Sequence, residues 1–246
     1  GTEAFAQNNL NKAIEYFSLS LQSSSTGKYS AESYYWRSES YYRSGQSDKS
    51  IADLKSFFSN SYARSSVNYK TANYALAYAY FSQKNYNEAL NWFLKYVDLE
   101  NNAGATTYAD AYNRIGDCYF NARNFTKAET YYSRASSLSP NTGDYAAFQS
   151  AYVAGLQKNY STKINRLESL ISKYPKSEYI DDALYEIGRA YVMLESDAKA
   201  ISTYQKLLSV QPNSKLAPKA ALETGMIYFN QNNYDQAITA YKKVIS

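Results

Sequence analysis

The stretch from Ser33 to Gly45, "SYYWRSESYYRSG", carries two tyrosine doublets, Tyr34-Tyr35 and Tyr41-Tyr42, seven residues apart. A tyrosine brings a broad ring for stacking and a hydroxyl tip for hydrogen bonding, with few rotatable bonds to freeze. That is the chemistry of binding. Seven residues is close to two helical turns, so Tyr34 and Tyr41 share one face of a helix. Tyr35 and Tyr42 share a second face, about 100° round. One stripe is expected to be core, and the other then needs a different partner.

Groups for bond-making chemistry are scarce. The 246 residues contain no histidine, which removes the commonest general base and the commonest metal ligand. The single cysteine, Cys118, can form neither an intrachain disulfide nor a thiolate cluster. Asp110 and Asp117 lie seven apart and can share a helix face, but such pairs are usually solvated surface. No nucleophile with a base, no metal set and no phosphate-cradling glycine loop is legible. The expectation is a protein that is not an enzyme and needs no cofactor.

The net charge of +4 is spread over both halves of the chain, with no basic tail. Lys158, Lys163, Arg166, Lys173 and Lys176, opposed by Glu168, form a locally basic helix. The expected meaning is a solvated face, and nucleic acid is not an expected partner. No apolar run reaches membrane-spanning length, and no signal peptide or lipid-anchor pattern is visible near Gly1.

These side chains must be positioned by repeated helices. With 29 Tyr and 10 Phe to fill a core and only 4 Pro and 9 Gly to break one, the composition favours helix. "IGDCYFNARNFTKAETYY", "IGRAYVMLESDAKAISTY" and "TGMIYFNQNNYDQAITAY" each place a glycine, an aromatic three later, an alanine nine further on and a tyrosine four beyond. Gly116, Tyr119, Ala128 and Tyr132 correspond to Gly188, Tyr191, Ala200 and Tyr204, and to Gly225, Tyr228, Ala237 and Tyr241. Weaker copies fill the rest, with the marker position, small in all but one copy, at 13, 50, 89, 128, 163, 200 and 237. The copy containing Lys163 departs most, since a lysine stands where alanine is expected. Its stem is expected to reach outward or its repeat to pack loosely as a hinge.

This pattern resembles the tetratricopeptide repeat (TPR) family, whose unit is a pair of antiparallel helices. Pro140, Pro175 and Pro212 fall just past the second helix of their repeats, where a residue without N–H ends a helix. The resemblance implies an all-α fold, a right-handed αα superhelix of about seven helix-turn-helix repeats. They span approximately 1-24 (partial), 31-62, 70-101, 109-140, 144-175, 181-212 and 218-246, a single array 1-246. The period exceeds the family's usual 34 residues, which implies longer turns between repeats. Turns such as "KYPKSEYIDDALYEIGRAY" also resemble bacterial outer-membrane-assembly lipoproteins and Tol-Pal-associated periplasmic TPR proteins. A periplasmic or outer-membrane-associated location, with peripheral attachment to a membrane complex, is the expectation that follows. Arrays normally carry terminal caps, so the chain is expected to be an excerpt of a longer array.

The resemblance assigns Tyr34 and Tyr41 to the core and Tyr35 and Tyr42 to a concave groove. Carried across the copies, the groove holds Tyr35, Tyr42, Tyr74, Tyr78, Phe81, Phe120, Phe148, Tyr152, Tyr185 and Phe229. Glu39, Arg43, Asn113, Asp117, Asp182 and Arg189 are its polar members. The implied function is a non-catalytic scaffold that binds an extended peptide or partner protein in this aromatic groove. The alternative is a glycan-binding module using the same rings. Some TPR proteins grip a C-terminal carboxylate with lysine at the first and asparagine at the second of two positions four apart, and none of the corresponding pairs, Tyr35/Glu39 through Leu222/Met226, matches.

Overall fold

The computed structural model describes residues 1–100, 102, 104, 106–138 and 143–244, and its regular structure is helical throughout. Gly1–Arg123 and Asn124–Ser246 form two compact units. The first holds α1 (Thr2–Ala6), α2 (Leu10–Ser23), α3 (Lys28–Arg43), α4 (Ser47–Ser59), α5 (Tyr69–Ser82), α6 (Tyr86–Leu99) and α7 (Thr106–Asn121). The second holds α8 (Phe125–Leu138), α9 (Asp144–Leu156), α10 (Tyr160–Lys173), α11 (Ile180–Met193), α12 (Asp197–Val210), α13 (Ala217–Asn230) and α14 (Tyr234–Lys242). No described helix is long and apolar enough to cross a membrane.

Short and long links alternate. Paired helices are joined by three residues, as at 44–46 and 194–196, whereas successive pairs are joined by longer segments such as 60–68 and 211–216. The long period therefore lies between pairs. Pro175 and Pro212 stand just after α10 and α12, whose helices they end; Pro140 lies outside the described residues.

Each short turn contains one residue with left-handed backbone: Asn8, Gly45, Lys84, Arg123, Lys158, Glu195 and Asn232, with φ between 53° and 77°. Each sits five residues before its marker residue, so the backbone repeats with the same spacing as the sequence. The next amide closes the turn on the preceding helix, as in Gln46 N–H to Tyr41 C=O at 2.8 Å and Ser196 N–H to Tyr191 C=O at 2.9 Å. This is the glycine-type C-cap, here built mostly on non-glycine residues.

The longer links carry a second device. The Ser177 hydroxyl donates to Asp144 Oδ2 at 2.6 Å and accepts from the Tyr179 amide at 3.1 Å. Ser214 does the same between Asp181 at 2.5 Å and the Leu216 amide at 3.0 Å. Ser66 bridges Glu32 at 2.6 Å and the Asn68 amide at 3.0 Å. Each serine thus ties the link to an acid near the start of its own helix pair.

Every marker residue is buried: Ala13, Ser50, Ala89, Ala128, Lys163, Ala200 and Ala237. Four residues on, Phe17, Leu54, Phe93, Tyr132, Leu167 and Tyr204 are buried as well, and they form the bulk of the interior. Tyr119, Tyr191 and Tyr228, expected to dominate local burial, are only half-buried. In the second unit the core gathers Leu167, Leu170, Leu184, Ile187, Tyr204 and Leu207. In the first, Ala4, Phe5, Ala13 and Phe17 cluster under Trp36.

One expectation is corrected here. Lys163 neither reaches outward nor loosens its repeat: it is 7% exposed and paired with Glu186 of α11. In the rest of the basic run Lys158, Lys173 and Lys176 are exposed, as a solvated face requires, whereas Arg166 pairs with Glu129 at 2.6 Å and donates to the Ser150 carbonyl at 3.0 Å.

Candidate functional site

On α3 the assignment of the doublets is partly reversed. Tyr35 is buried, at 7% exposure, with its ring 5.1 Å from Trp36 and 6.0 Å from Phe57. Tyr34 and Tyr41, expected as core, stay half-buried on either side of Arg37, whose guanidinium lies 5.9 Å and 5.8 Å from their rings. The reason is a polar inner layer. Ser33, Ser38 and Ser40 are buried on α3, and Arg37 forms a bidentate pair with the buried Asp53, both contacts at 2.7 Å. The inner face of α3 thus holds a charged pair and serines, and Tyr35 is its buried ring. Tyr42 remains half-buried and Arg43 exposed, its guanidinium 4.3 Å from the Phe5 ring centre.

Burial pushes the Tyr35 hydroxyl up to about 12, helped by the charge of Glu39. Burial also raises the Glu39 carboxyl, against the pull of Arg43.

The α5–α7 region forms an aromatic and acidic cluster. Tyr74 and Tyr78 pack with ring centres 4.9 Å apart, and Phe81 lies 6.3 Å from Tyr78. Both tyrosine hydroxyls donate to Asp110 Oδ2, that of Tyr74 at 2.7 Å. Burial, then the Asp110 charge, moves both hydroxyls well above their ordinary range. Arg114 bridges Asp110 at 3.5 Å and Asp117 at 2.5 Å and sits 5.6 Å from the Phe81 ring. Asp117 is buried rather than presented on a groove. Asn113 and Phe120 are half-buried, and Asn113 Oδ1 is enclosed without a hydrogen-bond partner among the described residues. The two aspartates are therefore held by tyrosines and an arginine. Burial likewise raises the Cys118 thiol to about 12, which keeps it protonated and inert.

In the second unit, Phe148 stacks on Tyr179 at 5.3 Å and lies 6.3 Å from Tyr152, with interplanar angles of 20° and 18°. Tyr185 packs 5.9 Å from Tyr204. Asp182 is half-buried, its carboxyl raised by burial and by neighbouring Asp181. Arg189 is exposed and binds Glu186 at 3.2 Å. On α13, Leu222, Met226 and Phe229 leave 45%, 48% and 54% of their surfaces open. Of the expected groove residues, then, Tyr35 and Asp117 belong to the interior, while the others keep open surface and gather in separate clusters within each unit.

Asp110, Arg114, Lys163 and Glu186 organise these clusters and were not among the expected site residues. Lys163 stood out in the sequence as a departure from the repeat and Asp110 only as one of a spaced aspartate pair; their partners required three-dimensional contacts.

Tetratricopeptide-repeat models match residues 37–105, 109–142, and 145–177, 182–214 and 219–246. The chain belongs to the tetratricopeptide repeat family. Among solved structures, it is similar to the C-terminal part of a TPR repeat-containing protein from Cytophaga hutchinsonii, at 20% identity and TM-score 0.78, over 99% of this chain and 92% of that one. It is also similar to a tetratricopeptide repeat protein from Parabacteroides merdae, at 17% identity and TM-score 0.62, over 99% and 88%. A third similar structure is YrrB, described as a TPR protein with an unusual peptide-binding site, at 20% identity and TM-score 0.66, over 84% and 98%. These identities bear on the fold. No curated protein matches the chain.

Proposed function

We propose that the chain is a non-catalytic scaffold that binds an extended peptide segment of a partner protein against the aromatic faces of α9, α11 and α13, within the second unit. The observation that carries this reading is a surplus of rings. The interior is filled by the marker residues and the large apolar side chains four beyond them, yet Phe148, Tyr152 and Tyr185 stay partly exposed and Phe229 is 54% exposed. Rigid, amphipathic rings left at a surface are efficient contact area. The peptide-binding site described for YrrB supports the same reading by analogy of fold.

Glycan binding uses similar rings, and the near-parallel Phe148, Tyr152 and Tyr179 could stack on a sugar. It also needs polar groups beside the rings for the sugar hydroxyls, whereas Phe148 and Phe229 carry none and the open neighbours of Phe229 on α13 are Leu222 and Met226. Peptide binding is therefore the better reading. The test is selection from a random peptide display library, followed by titration against wild type, Tyr152→Ala and Phe229→Ala. Selected peptides should lose roughly tenfold affinity for one or both variants, as for anchor aromatics. Unchanged affinities, or binding of soluble oligosaccharides in place of peptides, would overturn the proposal.

A further inference from the structure

We infer that the cleft between α9, α10 and α11 selects an acidic side chain in the bound segment, with Arg189 as the receiving residue. The inference rests on the peptide-binding reading above and adds a chemical preference to it.

The starting point is Lys163. Its position is alanine or serine in every other copy. The lysine is accommodated because α9 has Gly155 opposite, where a Cβ would lie 2.7 Å from Lys163 Cδ. The stem fills that gap and delivers Nζ to Glu186 Oε2. Lys163 and Glu186 are 7% and 8% exposed, so two charges have been taken out of water. Burying an ion pair is a poor way to stabilise a seam, and an apolar replacement is often as good or better. The alanines at the other marker positions show that the seam itself does not require charge.

The pair does settle the charge above it. Glu186 Oε1 takes Arg189 NH1 at 3.2 Å, and the Arg189 side chain is 55% exposed. Lys163 cancels Glu186, leaving the guanidinium as the net charge at the mouth of the cleft. The cleft measures about 210 Å³ and is otherwise lined by Tyr152, Tyr160, Leu156 and Met193. Asp182, one turn earlier on α11, is not part of the lining. An exposed guanidinium held on one side by Glu186, in a cleft with apolar lining, suits a carboxylate carried on methylenes, because planar bidentate pairing is the strongest contact it can make.

The experiment uses the intact chain and three fluorescein-labelled octapeptide pools, degenerate in Leu, Tyr, Ser and Ala, with Glu, Gln or Lys fixed at the centre. Anisotropy titrations of wild type should place the Glu pool about tenfold tighter than the Gln pool, a preference that weakens with salt. Arg189→Gln should erase the preference and still bind the Gln pool. Lys163→Met, a similar stem without the charge, should leave Glu186 to neutralise Arg189 and reduce the preference for the Glu pool over the Gln pool to about threefold or less. If Lys163→Met proves unfolded by circular dichroism, Arg189→Gln decides alone. Equal wild-type affinities for the Glu and Gln pools, or a preference that survives Arg189→Gln, would overturn the inference and leave peptide binding standing. Failure of every pool to bind wild type would overturn both.

Discussion

The ring of Tyr204 lies on the backbone of Gly188: a Cβ at that glycine would sit 2.7 Å from both Cδ1 and Cζ of the ring. Tyr204 is fully buried and cannot withdraw. Replacing a mid-helix glycine by alanine ordinarily favours the helix by about 0.5–1 kcal/mol. Here overpacking, at ~1–3 kcal/mol, wins. Gly188→Ala should therefore lower the denaturation midpoint, and a raised midpoint would contradict the packing described.

The left-handed turn residues give the opposite sign. Lys158 and Glu195 hold φ of 61° and 53°, where a side chain crowds its own backbone. Glycine at either site relieves that strain by ~1–2 kcal/mol, partly offset by ~0.4–1 kcal/mol of added freedom in the unfolded chain. Lys158→Gly and Glu195→Gly should each raise the melting temperature slightly, and Gly45→Ala should lower it. Thermal melts of the three variants check the set.

The doublets on α3 make a third comparison. Tyr35→Ala should cost ~3–5 kcal/mol, as expected when a buried aromatic is truncated. Tyr41→Ala and Tyr42→Ala, at half-buried positions, should each cost clearly less. Chemical denaturation of the three single variants reads the order directly, and a Tyr42 variant as unstable as the Tyr35 variant would refute it.

Glu39 gives the fold a pH dependence of known sign. Burial holds its carboxyl above the ordinary 4.5, so the folded chain binds this proton more tightly than the unfolded one. The associated stability is fully present below the unfolded pKa and is lost as pH rises through the folded value. Glu39→Gln should gain melting temperature over wild type at about pH 7 and lose that advantage near about pH 4. An advantage of the same size at both would show that the carboxyl is not strained when charged.

The fold was legible because its rules are local and repeated. Small residues at the markers, large ones four beyond and a turn before each marker recur often enough to fix the register. The faces of individual helices were less legible. Tyr35 lies inside while Arg37 on the same helix pairs with Asp53, sixteen residues beyond the arginine, and that pairing has no periodic signature. Lys163 looked like a defect because its compensation is split between Gly155 on one helix and Glu186 on another. The candidate site was readable as a stripe of rings, but which rings had committed hydroxyls depended on Asp110, which reaches Tyr74 and Tyr78 from the next helix pair.

The serines in the long links bear on how such a chain can change length. Ser177 bonds Asp144, and Ser214 bonds Asp181, each an acid of the helix pair that the link leaves. The geometry of a junction is thus encoded mainly by the segment before it. A stretch such as Asp181 to Ser214 can be copied or excised together with the instructions for its own exit. The number of helix pairs becomes adjustable without redesigning the joints.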